Sequence, residues 1–185
     1  MEMNVFQKRV ISLWKNDKHN GVNIEAPRQI GKSTVALQIA YNESDKDTAV
    51  IFYGWNTDST RLKEEQYKHN YLGRYEKHFR HKGNVFFVSA QQSGPIDAIK
   101  KKCEKEFKNV YFIYDECTDR TVEPNTLKLF TEVNNGIFRF GEEWFDGTTV
   151  TPEILNEQRY RLPPRCFASA YNCCIIKRNM FSKAQ

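Results

Sequence analysis

The chain has 185 residues, 39% of them hydrophobic and including 13 Phe, 9 Tyr and 3 Trp, enough to bury one substantial core in a single domain over 1–185. Its net charge of +5 leans mildly toward anionic partners without identifying nucleic acid. Five cysteines with no C-x-x-C spacing support neither a disulfide framework nor a zinc ribbon, and no apolar run approaches the roughly 20 residues that span a bilayer.

In chain order, an amphipathic helix is expected over 5–15, followed by a strand at "VNIEA" (22–26) and a helix over 32–42. "AVIFYGW" (49–55) and "NVFFVSA" (84–90) read as strands, separated by charged helices over 58–69 and 72–81. Gly94-Pro95 opens a helix over 95–107, and "NVYFIYDE" (109–116) is the next strand. Pro124 is expected to open a helix over 125–134, since proline is tolerated in a first turn. A glycine-rich hairpin or loop over 134–152, a helix over 151–158 and a strand at "CFASAYN" (166–172) complete the series. Nearly continuous apolar strands alternating with helices predict an α/β fold of three layers, with helices flanking a mostly parallel sheet of five or more strands. The N-terminus has no secretory apolar centre, so a soluble, cytoplasmic or nuclear protein without a membrane partner is expected.

The strand at 22–26 runs into "APRQIGKST", which a helix follows. Strand, tight loop and helix start make the context in which G-K-[ST] binds phosphate. Backbone N–H groups of the loop and first helical turn lack intrahelical partners, and with the helix dipole they form an anion site. Pro27, Gln29, Ile30 and Gly31 would line it, and Gly31 lets the main chain approach closely. Lys32 would reach the β- and γ-phosphates of ATP, and Ser33 would help hold Mg²⁺. Thr34 completes this nucleotide-binding run, chiefly as a packing or capping residue. Ala26 stands where the usual pattern has its first glycine.

"VYFIYDE" carries apolar residues into Asp115 and Glu116. Two carboxylates ending a buried strand are costly unless solvated, paired or bound to metal. Ligands of open α/β sheets lie beyond the carboxyl ends of the strands, so Asp115 is expected at the Mg²⁺ site. Strand alternation would send Glu116 to the opposite side, to polarise an attacking water.

Together these residues resemble the ATPase domain of large terminase subunits, P-loop motors that package viral double-stranded DNA into capsids. "APRQIGKST" is similar to the terminase Walker A motif, "VYFIYDE" to the Walker B strand with its catalytic glutamate, "VFQKRVISLW" to the adenine-sensing segment, and "CFASAYN" to the coupling motif. The likeness spans residues 6–172. It implies an adenine contact for Gln7 with Phe6 as a stacking partner, an arginine-finger role for Arg28, and catalysis by Glu116, Arg28 and Lys32. Ser169, Ala170 and Asn172 would stand near the γ-phosphate, on a strand between the Walker A and Walker B strands. It further implies ATP and Mg²⁺ as ligands, duplex DNA as partner, a homo-oligomeric ring, and a capsid portal and separate nuclease as associates. Terminases carry a nuclease domain after the ATPase; no acidic cluster of that kind is read here, so DNA cleavage is not expected.

Two other classes remain open: a nucleoside or nucleotide kinase on a P-loop core, and an assembly module switched by ATP binding without turnover. The lysines of 100–108 and the basic segment 74–82 read as solvated faces. Trp55, Trp144 and Phe145 read as packing residues that alternatively touch DNA or a neighbouring subunit.

Overall fold

Helix α1 (Val5–Asp17) begins at a capping box. The Asn4 side chain accepts from the Gln7 backbone N–H at 2.8 Å, and the Gln7 side chain accepts from the Asn4 N–H at 3.0 Å. Two orphan donors of the first turn are thereby satisfied. Phe6, Val10 and Trp14, spaced four apart on α1, are buried, so one helical face enters the core. The computed structural model describes residues 2–26, 30–73, 80–131 and 174–176.

Strand β1 (Val22–Ala26) leads to α2 (Lys32–Glu43), and β2 (Thr48–Gly54) leads to α3 (Thr57–Tyr67). A wider π-type turn over Lys68–Leu72 extends α3. Of the helix expected over 72–81, the described ends are a turn at Gly73 and a 3-10 turn over Arg80–Gly83; residues 74–79 lie outside the described residues, as does most of the basic segment. Strand β3 (Val85–Ser89), helix α4 (Ser93–Glu106) and β4 (Asn109–Tyr114) follow, with Pro95 in the first turn of α4 as expected.

The expected helix over 125–134 is instead strand β5 (Thr126–Thr131). Asn125 adopts a left-handed conformation with φ 57°, which breaks any helix that Pro124 would open. Leu127 and Leu129 then alternate with Thr126, Lys128 and Phe130 across the sheet. Leucine and lysine favour helices, but pairing between two strands overrides that preference: Leu127 lies opposite Val22 of β1 and Ile113 of β4.

The sheet runs β3-β2-β4-β5-β1-β6. Its first five strands are parallel, and β6 (Cys174–Ile176) lies antiparallel along β1. Apolar residues of α1, α2 and α3 share one core with Ile24, Val50, Phe52, Ile113, Leu127 and Leu129. On the opposite face Cys103, Ile96 and Ile99 of α4 pack with Ala49, Ile51, Tyr53 and Val88. This is the expected three-layer, P-loop-like α/β arrangement, with a largely parallel sheet between helices. The strand expected over 166–172 and the helix over 151–158 lie outside the described residues, as do Trp144 and Phe145. No helix among the described residues is long and apolar enough to cross a membrane.

Candidate functional site at the carboxyl ends of the strands

Parallel pairing sets the ends of β1, β4 and β5 side by side. Ala26, the last residue of β1, pairs with Thr131, the last of β5. Asp115 follows β4 directly, and its N–H donates to the Tyr53 carbonyl of β2 at 2.9 Å. The start of α2 faces these ends, at the place where open α/β sheets bind ligands.

Gly31 caps α2 with φ 98°, a left-handed conformation that side-chain-bearing residues adopt at a cost. A Cβ there would also collide with the Gln7 amide nitrogen. The α1 cap braces the same turn: Asn4 Nδ2 donates to the Ile30 carbonyl at 3.1 Å and Gln7 Nε2 to the Gly31 carbonyl at 3.2 Å. The amide of Gln7 is therefore engaged at both ends by the protein, and Gln7 is only 5% exposed. In this arrangement Gln7 braces the loop end rather than presenting its amide to a base. Phe6, expected as a stacking partner, is fully buried beside Val10 in the core.

Lys32 is buried, and its Nζ donates to the Ala26 carbonyl at 2.9 Å. Ser33 Oγ donates to Asp115 Oδ2 at 2.9 Å, so the loop–helix motif and the strand-end acid, separated by 82 residues, meet as the sequence predicts. Asp115 is 4% exposed and its Oδ1 has no hydrogen-bond partner. Burial raises its pKa above the ordinary carboxylate value, against the charges of Lys63 and Lys32 and the Ser33 hydrogen bond, which lower it. A buried orphan carboxylate oxygen beside a hydroxyl is a hard-oxygen donor pair, and it fits Mg²⁺ completed by phosphate oxygens and water. Among the described residues no group of three or more His, Cys, Asp or Glu could hold a metal. Thr34 is half-buried in the first turn of α2.

Glu116 departs from the expected geometry. Strand β4 ends at Tyr114, and Glu116 has φ 67°, so alternation no longer dictates its direction. Its exposed carboxylate accepts the Thr131 hydroxyl at 2.6 Å. Since Thr131 continues the β5 face of Leu127 and Leu129, the carboxylate turns toward the α2 side, from which Ser33 reaches Asp115, not the opposite one. A non-glycine residue held at positive φ beside a buried acid is the kind of strain that gathers at functional sites.

The place between β1 and β4, expected for the strand bearing Ser169 and Asn172, is held by β5; Ser169, Ala170 and Asn172 lie outside the described residues. Pro27, Arg28 and Gln29 also lie outside them. Ile30 is fully buried.

Two features escape sequence inspection. Thr131 ends "TLKLFT" as Asp115 follows "VYFIY", each a polar residue at the carboxyl end of a strand, which could have marked it. The segment after Glu116 is strapped to the sheet by ion pairs between side chains. Arg120 makes a two-pronged contact with buried Glu25 of β1, at 2.5 and 2.7 Å. Lys128 of β5, 1% exposed, pairs with Asp119 at 3.2 Å and Glu123 at 2.9 Å and donates to the Thr121 carbonyl at 2.7 Å. The lysines of α4 are exposed as expected, but Trp55, read as a packing residue, is 48% exposed just beyond β2.

No family model matches the chain, and a search of curated proteins finds no match.

Proposed function

We propose that this chain is a Mg²⁺-dependent ATPase, the motor domain of a terminase-like machine that couples ATP hydrolysis to translocation of duplex DNA. The observation that carries the ATPase reading is the 2.9 Å contact between Ser33 and Asp115, with the orphan Oδ1 of Asp115 beside it. It joins the phosphate-loop helix to the acid-bearing strand at one point.

Amides at the start of α2, together with the helix dipole, would receive the β-phosphate. Lys32 would exchange the Ala26 carbonyl for phosphate oxygens, a move its flexible stem allows. Ser33 and Asp115 would hold Mg²⁺, which when bound offsets charge on the phosphate oxygens. Glu116 would accept a proton from the attacking water, and Thr131 orients its carboxylate. Arg28, from the same loop, would add a planar charge at the γ-phosphate. An exposed acid next to the metal ligand favours water as acceptor.

The terminase reading, with duplex DNA, ring assembly, a portal and a separate nuclease as partners, rests on the likeness of the motifs and on the net charge of +5. Turnover of ATP measured with and without duplex DNA tests it: stimulation that weakens with salt is expected. Phosphoryl transfer to a nucleoside without stimulation would replace it with the kinase reading. Glu116→Gln should bind ATP normally and hydrolyse it at least 100-fold more slowly, on the order of a lost general base; unchanged hydrolysis would reject the role of Glu116.

A further inference from the structure

The segment that follows Glu116 lies on the face of the sheet away from α2, and Arg120 ties it to both strands beneath. The guanidinium forks Glu25 of β1 at 2.5 and 2.7 Å and lies over the Phe130 ring of β5, 5.1 Å from its centroid. The Arg120 carbonyl accepts Asn23 Nδ2 at 2.8 Å. Glu25 and Phe130 are paired directly across β1 and β5, so one arginine is fixed on two strands at once.

Both strands end at the candidate site. Glu25 precedes Ala26, whose carbonyl accepts Lys32 Nζ at 2.9 Å, and Phe130 precedes Thr131, whose hydroxyl donates to the Glu116 carboxylate at 2.6 Å. Arg120 therefore grips the two strand ends that engage Lys32 and Glu116.

The chain between Arg120 and Glu116 is short and pinned as well. Cys117 N–H donates to the Leu129 carbonyl at 2.9 Å, and on the other side of Glu116 the Asp115 N–H donates to the Tyr53 carbonyl at 2.9 Å. Glu116 itself has φ 67°. That conformation costs a residue with a side chain free energy, and it persists only where the surroundings over-determine it. The pins on either side do so. Release of Arg120 would let the turn relax toward negative φ and carry the carboxylate off Thr131.

On the reading that Glu116 activates water at this site, we infer that Arg120 is a positioning residue for the reaction. Anchored on Glu25 beside the phosphate loop, it holds Glu116 in its left-handed turn with the carboxylate on Thr131. It acts through Glu116 and touches no substrate. The same contact fixes the spacing between the base and the loop that would hold the phosphates.

The test is turnover and affinity of the full chain for MgATP, by steady-state kinetics and calorimetry, in the wild type, Arg120→Lys, Arg61→Gln and the double change of Glu25 and Arg120 to leucine. The double leucine chain replaces an ion pair by apolar groups and should fold. Its kcat should fall about tenfold, since displacing a reacting group by about 1 Å costs up to about 100-fold, and its affinity should stay within about twofold. Arg120→Lys keeps the charge without the fork, so its kcat should fall less, about threefold. Arg61→Gln, at an exposed ion pair of α3, should change neither quantity. Added to Glu116→Gln, Arg120→Lys should lower single-turnover hydrolysis no further, because nothing is left to position.

An independent loss in that background would overturn the inference, as would wild-type kcat in the double leucine chain, or kcat and affinity falling together. Should the double leucine chain unfold, wild-type kcat in Arg120→Lys would overturn it equally. Unchanged hydrolysis in Glu116→Gln alone would instead reject the reading of Glu116, and this inference with it.

Discussion

At its β1–β5 end, the two faces of the sheet are held by different physics. Under α1, α2 and α3 the interface is apolar, with Ile24, Phe52, Ile113 and Leu129 each at most 2% exposed. On the other face, over β1 and β5, the strands present Glu25 and Lys128, and the segment 117–125 answers with Arg120, Asp119 and Glu123. Dispersion and burial hold the first face without fixing any single contact, and side chains there can be exchanged at constant volume. Ion pairs on the second fix position, because each buried charge has one geometry that satisfies it. The segment positioned in this way is the one that follows Glu116.

The largest effect should come from the apolar face. Phe52 is fully buried and meets Phe87 with ring centroids 5.1 Å apart. Phe52→Ala removes a ring from a packed interior and should cost about 4 kcal/mol in chemical denaturation. Phe52→Leu should cost less, about 1.5 kcal/mol. Equal costs would mean that this face can collapse around a void.

The ionic face should respond asymmetrically. Arg120 is 53% exposed and Glu25 only 2%, so the partner left behind decides the cost. Arg120→Ala strands a buried carboxylate and should destabilise by about 3 kcal/mol. Glu25→Leu leaves a half-exposed guanidinium that water can solvate, so its cost should be smaller, about 1 kcal/mol. The double change to leucine should lie near wild type, because replacing a buried pair by apolar groups is often neutral. If both single changes cost the same, the pair behaves as a surface contact and the distinction between the faces is lost.

The apolar packing, on either face, was the legible part. Continuous runs such as "AVIFY" and the fourfold spacing of Phe6, Val10 and Trp14 depend only on local periodicity, and they place β1 to β4, α1, α2 and α4. Strand β5 was hidden because Leu-Lys-Leu-Phe suits either period and Pro124 mimics a helix start; only pairing with β1 and β4 decides it. The meeting of Ser33 with Asp115 could be foreseen because both sit at strand or helix ends that parallel topology brings together. The turn of Glu116 toward Thr131 could not, since it depends on one φ angle and on a strand not yet recognised. Arg120 and Glu25 are 95 residues apart, and nothing in either local sequence names the other.

The smallest predicted effect separates the faces by pH. Hydrogen bonds from the Thr121 backbone and side chain, and then from Lys128, hold the Asp119 carboxyl at about 2, below its ordinary 3.8. Its folded pKa is depressed, so its contribution is complete above the ordinary value and fades as pH falls through about 2. Lys128 behaves oppositely. Burial would lower its pKa, but hydrogen bonds and charge from Glu123 and Asp119 outweigh that and leave it raised above 10.5. Its contribution is therefore intact below that ordinary value and declines only as pH rises through the higher folded one. Between about pH 4 and 2, amide exchange in 117–125 should accelerate relative to amides of β2 and β3, where apolar packing does not titrate. Asp119→Asn, which cannot ionise, should show faster exchange in this segment already at neutral pH and a smaller acid step, because the Glu25 and Glu123 carboxylates still titrate. Acceleration of equal size in β2 would show acid acting on the whole fold, and the strap would then have no separate role in holding the turn at Glu116.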